Sequence, residues 1–480
     1  MELDRRSMRL AQHFRSHGIH RGDHIAILME NSPDYLVACC AAQRSGLHYT
    51  PVNWHLSPDE ISYVVQDCDA KALVVSPAQL KVVQAVSKAI PDISVRVVTG
   101  PAFDDYEGLQ VICQRDYAIP LDQSEGSAMF YSSGTTGRPK GIKRALPEGV
   151  WGAVNPGGTF FNAFWGVDTS TIYLCPAPLY HAAPLGWITN ILRVGGTIVL
   201  MEKFDPLNVL QLIERYKITH VQFVPTMFIR MLNLPQEQRL AYDLSSLKRV
   251  VHAGAPCPLE VKRKMIEWLG PVISEYYSGS EGNGFCAVNS QEWLARPGTV
   301  GRSLFGPVHI VGEDGKELPP GEIGTIYFSG LPTFEYHNDP DKTKSAYVRE
   351  GWSTLGDIGH VDADGYVFLS DRRTDLIISG GVNIYPRETE EALLPHPAVL
   401  DVAVVGVPSP DFGEDVLAVV ELKEGFNAGA ALGQELIDFC RSRIARYKCP
   451  KRVEFAVLPR TPTGKMLRRK VKEQYRESGG

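Results

Sequence analysis

The segment Tyr131-Ser-Ser-Gly-Thr-Thr-Gly-Arg-Pro-Lys-Gly141 packs three glycines, four Ser/Thr hydroxyls and a lysine into eleven residues, directly after the apolar Ala128-Met-Phe130. Glycines at 134, 137 and 141 let the backbone enter positive φ and approach a ligand closely, while exposed N–H groups and the hydroxyls of Ser132, Ser133, Thr135 and Thr136 offer donors to phosphate oxygens. Lys140 adds a mobile positive charge. The pattern reads as a loop that holds phosphate, although a Gly/Ser/Thr run by itself is equally a flexible turn. The Walker loop is excluded, because Lys140 lies between Pro139 and Gly141 and no hydroxyl follows it to ligate magnesium.

Around this loop, from Asp23 to about Tyr277, short β-branched runs alternate with helix-like segments. Candidate strands are 24–28, 72–75, 94–98, 197–200, 220–223, 249–251 and 272–275, and candidate helices run over 33–45, 58–67, 207–216 and 258–269, several opening on proline. Such alternation predicts parallel sheets covered by helices. From Gly298 to about Ser370, turn signals such as Glu313-Asp-Gly315 and Asp362-Ala-Asp-Gly365 separate short strands, which predicts an antiparallel β subdomain. Beyond Asp371-Arg-Arg-Thr374, strand and helix alternate again and residues 399–407 form one apolar strand. The fold class is therefore α/β: a large N-terminal domain of helix-covered sheets with an antiparallel subdomain, residues 1–371, and a small α+β C-terminal domain, residues 372–480.

The bulk properties narrow the function. A chain of 480 residues exceeds what one core usually supports. A formal net charge of -6 argues against nucleic-acid binding, and no apolar run approaches the roughly 18 residues that span a bilayer. A signal-peptide core is not seen after Met1, so a cytoplasmic enzyme is expected. Nine scattered cysteines, with no CxxC or Cys/His cluster, predict reduced thiols packed as small apolar residues.

Further motifs supply chemistry. Glu275-Tyr-Tyr-Ser-Gly-Ser-Glu281 ends a predicted strand, where open α/β sheets place ligand contacts. Tyr277 suits stacking on a base, and Glu281 suits a hard cation. Asp357, in Trp352-Ser-Thr-Leu-Gly-Asp357, suits a ribose diol, and Arg372 follows with a guanidinium that reaches a sugar or phosphate. Pro459-Arg-Thr-Pro-Thr-Gly-Lys465 places a lysine after a glycine turn near the C-terminus. Taken singly, each is also an ordinary core or surface residue.

The ordered set YSSGTTGRPKG, PLYH, HAGAP, YYSGSEG, STLGDIG, DRRTDLIISGGVNIYP and RTPTGK resembles the adenylate-forming superfamily of acyl-CoA synthetases, luciferases and adenylation domains. Within it the chain is most similar to bacterial fatty-acyl-CoA synthetases. The resemblance implies ATP, Mg2+ and coenzyme A: a carboxylate attacks the α-phosphate of ATP, and the thiol of coenzyme A then displaces AMP. It implies that Ser132, Ser133, Gly134, Thr135, Thr136, Gly137 and Lys140 cradle phosphates. Gly254, Ala255, Pro256, Tyr277 and Ser280 surround the nucleotide, and Asp357 and Arg372 hold the ribose. Glu281 ligates magnesium, Lys465 bridges carboxylate and α-phosphate, and Tyr180, His181 and Gly279 line the acyl site. In similar enzymes the C-terminal domain rotates about a pivot, here Thr374, and brings Gly380 and Gly381 to a pantetheine tunnel.

No aspartate stands near Leu179-Tyr180 to pair with a substrate ammonium, and residues 151–187 are rich in Trp, Phe, Gly and Ala. A medium- to long-chain fatty acid is the first expectation, with an aryl or steroid-derived acid, or a carrier-protein acceptor, as alternatives. A homo-oligomer is compatible with all of these. Thr374, Ser278, Ser280 and Leu355 depart from common family residues without removing a charge. Similar proteins carry some tens of residues before the segment matching Glu2-Leu-Asp-Arg-Arg-Ser7, so the domain is expected to lack their extreme N-terminus.

Overall fold

The computed structural model describes residues 2–90, 92–118, 123–133, 139–254, 257, 259–312, 314–372, 377–384, 386–459 and 468–476. Six parallel strands form the first sheet, in the order Glu107–Gly108, Val95–Val98, Ala70–Val75, His24–Leu28, His48–Pro51 and Ser127–Ala128. The run His24–Leu28 is buried along its whole length, as expected of a strand covered on both faces. Its covering helices begin where the sequence provides caps. Ser32 accepts from the amide of Tyr35 ahead of Pro33–Arg44, and Ser57 and Glu60 form a reciprocal capping box on Pro58–Asp67.

The second sheet has 13 strands. Thr197–Leu200, Ile172–Cys175, His220–Phe223, Arg249–His252 and Ile273–Ser278 run parallel at one end. At Ile273–Ser278 the sheet turns antiparallel, pairing with Phe285–Asn289, then Thr299–Ser303, Val367–Arg372 and Asp357–Val361. The antiparallel part anticipated as a subdomain is thus hydrogen-bonded continuously to the parallel part. Asp357 is thereby carried to the edge where the parallel strands end.

A five-stranded sheet follows, built from Val382–Ile384, Ile377–Ser379, Gly413–Leu422, Val399–Ser409 and Arg452–Phe455. It has its own core, including Ile377, Leu393, Val402, Val404, Ala418 and Leu436. All nine cysteines are free thiols, and seven of them are buried.

Candidate active site

The phosphate-loop segment is flanked by strands Phe130–Ser133 and Pro139–Lys143, which pair antiparallel with Ser132 opposite Lys140 and Ser133 opposite Pro139. Gly134, Thr135, Thr136 and Gly137 lie outside the described residues, and Ser132 and Ser133 are described through their backbone alone. On the far edge Glu335–Tyr336 pairs with Pro139–Lys143. That pairing delivers Asp339 to Lys140, and the two form an ion pair. Asp339 also caps Pro340–Ser345 by accepting from the Lys342 amide at 2.9 Å. The hydrogen bond from Lys140 holds the Asp339 carboxyl below its ordinary range. Sequence reasoning missed Asp339, which looks like any helix cap.

At the carboxyl end of Ile273–Ser278, the Tyr277 hydroxyl donates to Oδ2 of Asp357 at 2.6 Å, and both residues are buried. In the adjoining ladder Asp357 stands opposite Arg372, whose backbone alone is described. Gly279 is constrained: a Cβ there would sit 2.6 Å from Cδ2 of Leu355 and 2.8 Å from Oε2 of Glu281. Oε1 of Glu281 accepts from the Tyr336 hydroxyl at 2.9 Å, and Arg144 donates to the carbonyl of Ser280 at 2.8 Å. Burial pushes Glu281 above the usual carboxylate range, and the charge of Asp357 adds to that shift. A carboxylate so placed gains from a nearby cation. Among the described residues no three His, Cys, Asp or Glu side chains cluster in a way that would hold a metal alone.

A buried ion pair lies behind the end of strand Ile273–Ser278. Lys262, from helix Leu259–Leu269, pairs with Glu275 in the core, and His252 Nε2 lies 3.5 Å from the same carboxylate. His252 and Glu275 are opposite each other in the parallel register. Burial lowers Lys262 and raises Glu275, each in spite of its partner.

Tyr180 and His181 precede helix Ala182–Val194. His181 occupies the cap position in extended backbone, φ −93 and ψ 148, but its side chain makes no capping hydrogen bond. Its imidazole instead packs on Tyr180 at 4.6 Å between ring centroids, and Tyr180 meets His55 at 6.4 Å. His181 is exposed. Desolvation there pushes its pKa down to about 4, with the neighbouring His55 contributing.

Gly380 and Gly381 form the tip of a hairpin in which Ser379 pairs with Val382. Both have positive φ, +60 and +78, as a two-residue hairpin turn of the primed type requires. A Cβ on Gly381 would lie 3.1 Å from Cγ2 of Val224, and one on Gly254, whose φ is +85, would lie 3.6 Å from Cγ1 of the same valine. Val224 therefore connects the two turns. Lys465, Thr374, Ala255 and Pro256 lie outside the described residues.

Comparison with known proteins places these features in context. The model of the AMP-binding enzyme family matches residues 1–335, and that of the AMP-binding enzyme C-terminal domain matches 388–465. A feruloyl-CoA synthase of Amycolatopsis sp is 34% identical over 478 residues, covering 99% of this chain and 93% of the relative. A long-chain-fatty-acid–CoA ligase of Mycobacterium tuberculosis is 31% identical over 465 residues, covering 95% and 89%. Among solved structures, an amide bond synthetase from Marinactinospora thermotolerans superposes with a TM-score of 0.88 at 29% identity, covering 98% of this chain and 94% of that one. The o-succinylbenzoate CoA synthetase of Bacillus subtilis, 26% identical, gives 0.82 as a double mutant bound with a product analogue, covering 98% and 93%. With its acyl-adenylate intermediate the same synthetase gives 0.65, covering 98% and 92%. The chain belongs to the AMP-binding enzyme family and, through it, to the adenylate-forming superfamily.

Proposed function

We propose that this chain is an AMP-forming acid–CoA ligase acting on a hydrophobic carboxylic acid. The observation that carries the reading is the convergence on Val224, where the Gly254 turn at the end of the parallel strands meets the Gly380-Gly381 hairpin of the C-terminal part. In the first step a carboxylate oxygen attacks the α-phosphorus, and the bond to pyrophosphate breaks. In the second the coenzyme A thiol attacks the acyl carbon, its proton passes to solvent, and AMP leaves.

The residues fit those demands. Asp357, positioned by Tyr277, takes the ribose with Arg372; Lys140 exchanges Asp339 for phosphate oxygens; Gly254, with Ala255 and Pro256, borders adenine. His181, which packs on Tyr180, would accept the acyl carboxylate in its neutral form without adding a charge that must be stripped of water, with Gly279 proposed to line the same site. Glu281 would hold Mg2+, which when bound neutralises phosphate charge. Lys465, from the C-terminal part, would add the positive charge at the α-phosphate.

The domain arrangement supports the thioester half of this cycle, since the fold superposes better on the relative carrying a product analogue, 0.82, than on the one carrying acyl-adenylate, 0.65. On this reading residues 1–371 and 372–480 are the two bodies, with the pivot at Thr374.

The acyl side carries the finer reading. Phe161 meets Trp187 at 4.6 Å, Trp165 meets Tyr276 at 6.2 Å, and Tyr276 stacks on Phe285 at 5.2 Å. The Tyr276 hydroxyl accepts from Gln222 at 3.1 Å. These rings pack in the core, and what supports an aryl acid beside the fatty acid expected from the sequence is that the chain is similar both to a feruloyl-CoA synthase and to a long-chain-fatty-acid–CoA ligase. Incubation with ATP, coenzyme A and a panel holding dodecanoate, palmitate, ferulate and indoleacetate, read by mass spectrometry, tests both. Thioester from either class supports the ligase, and the preferred class fixes the acyl reading. Acyl transfer to a carrier protein or an amine, with none to coenzyme A, would overturn the acceptor.

A further inference from the structure

Between the two bodies, the capping box of helix Pro58–Asp67 is occupied from outside. Ser57 and Glu60 satisfy each other's amides at 2.8 and 3.3 Å in the usual reciprocal way. The same groups then reach the C-terminal part: Ser57 Oγ donates to the Arg443 carbonyl at 3.3 Å, and Oε2 of Glu60 accepts from the Ala445 amide at 3.1 Å. Oε1 of Glu60 accepts from Lys448 Nζ at 2.7 Å, and that ammonium also donates to Glu388 at 2.5 Å. Lys448 is 1% exposed, Glu388 5% and Glu60 11%. Thr389 anchors the lysine backbone by donating to its carbonyl at 2.8 Å.

We propose that Glu60 and Lys448 are positioning residues for thioester formation, the helix cap serving as a socket in which the Lys448 ammonium latches the C-terminal body in this arrangement. The proposal rests on the reading of that arrangement as the thioester-forming one. Lys448 and Glu388 belong to the same body and stay together when it rotates, whereas Glu60 does not. Docking therefore gains a charge-assisted hydrogen bond and two further amide and hydroxyl contacts, against the burial of a second carboxylate. The pair of carboxylates sets the sign of each substitution. Glu60→Gln keeps a carbonyl for the Ser57 amide but turns an anion away from Lys448, which weakens docking. Glu388→Gln removes the ammonium's partner in the rotated state and the repulsion in the docked state, which strengthens docking.

The test follows both half-reactions with dodecanoate and ferulate as acid probes, reading ATP–pyrophosphate exchange for adenylation and single-turnover release of thioester on mixing with coenzyme A. Glu60→Gln is expected to slow thioester release about tenfold, as a ~1.4 kcal/mol population shift predicts, with exchange held within about twofold. Glu388→Gln is expected to do the reverse, slowing exchange and sparing release. Small-angle X-ray scattering of the ligand-free proteins supplies a readout independent of activity: Glu60→Gln moves the curve away from this structure and Glu388→Gln does not. If wild type shows no exchange, the functional reading fails and the scattering alone decides the latch. Proportional loss of both half-reactions in the two variants, or an unchanged scattering curve for Glu60→Gln, overturns it.

Discussion

Gly381 lies against Val224 so closely that a β-carbon would stand 3.1 Å from Cγ2, and its φ of +78 is one that other residues adopt under strain. Gly381→Leu should therefore misplace the hairpin tip, with a backbone cost of ~1–2 kcal/mol before any contact is counted. The expected result is pyrophosphate exchange within about threefold of wild type and thioester release slowed by about tenfold or more. Rapid-quench measurement of the two half-reactions checks it, and equal losses would place the effect in folding.

Glu281 is the half-buried carboxylate proposed to hold a cation. Glu281→Gln retains an oxygen for the Tyr336 hydroxyl but removes the charge, and adenylation should fall by about two orders of magnitude, the scale set by loss of one transition-state electrostatic contact. Circular dichroism should be unchanged. Exchange at wild-type rate would remove Glu281 from the site.

His181 is predicted to stay neutral across the working range. Its folded value of about 4 lies below the ordinary value of 6.5, so His181 contributes stability above the ordinary value and loses it as pH falls from there toward the folded one. Imidazole carbon and nitrogen chemical shifts should be flat between about pH 8 and 5.5, and any acid limb of activity in that interval belongs to another group. A midpoint near the ordinary value would contradict the placement.

The Lys262–Glu275 pair under the strand ends has a structural part. Lys262→Met leaves Glu275 buried against His252 without its ammonium and should destabilise the protein by ~3–5 kcal/mol, lowering its melting temperature. Lys262→Met combined with Glu275→Leu should recover much of the loss, which differential scanning calorimetry of the single and double variants would measure.

The sequence made much of this legible because the signals are local. Val399–Ser409 and His24–Leu28 are runs of β-branched and other apolar residues, and Pro33, Pro58 and Pro206 mark helix starts. Strand His48–Pro51 escaped because it ends on proline, which reads as a break in a strand, and Ile172–Cys175 escaped although strands as short, such as Thr197–Leu200, were legible. The motif residues Gly254, Tyr277, Glu281, Asp357 and Gly381 carry positive φ or unusual chemistry within short patterns. Their supporting partners do not: Asp339 reads as a cap, Lys448 and Lys262 as surface lysines, Val224 as core. Each acquires its role from a residue remote in the chain, as with Lys448 and Glu60, and a single sequence holds no trace of that pairing.

The reaction proposed for this chain activates an acid at the α-phosphorus of ATP and then passes it to coenzyme A. An acid carrying 18O in both carboxylate oxygens, turned over with ATP and coenzyme A and analysed by mass spectrometry, tests it most directly. One 18O is expected in each AMP released and none in pyrophosphate; label in inorganic phosphate, or thioester formed with unlabelled AMP, rules this reaction out.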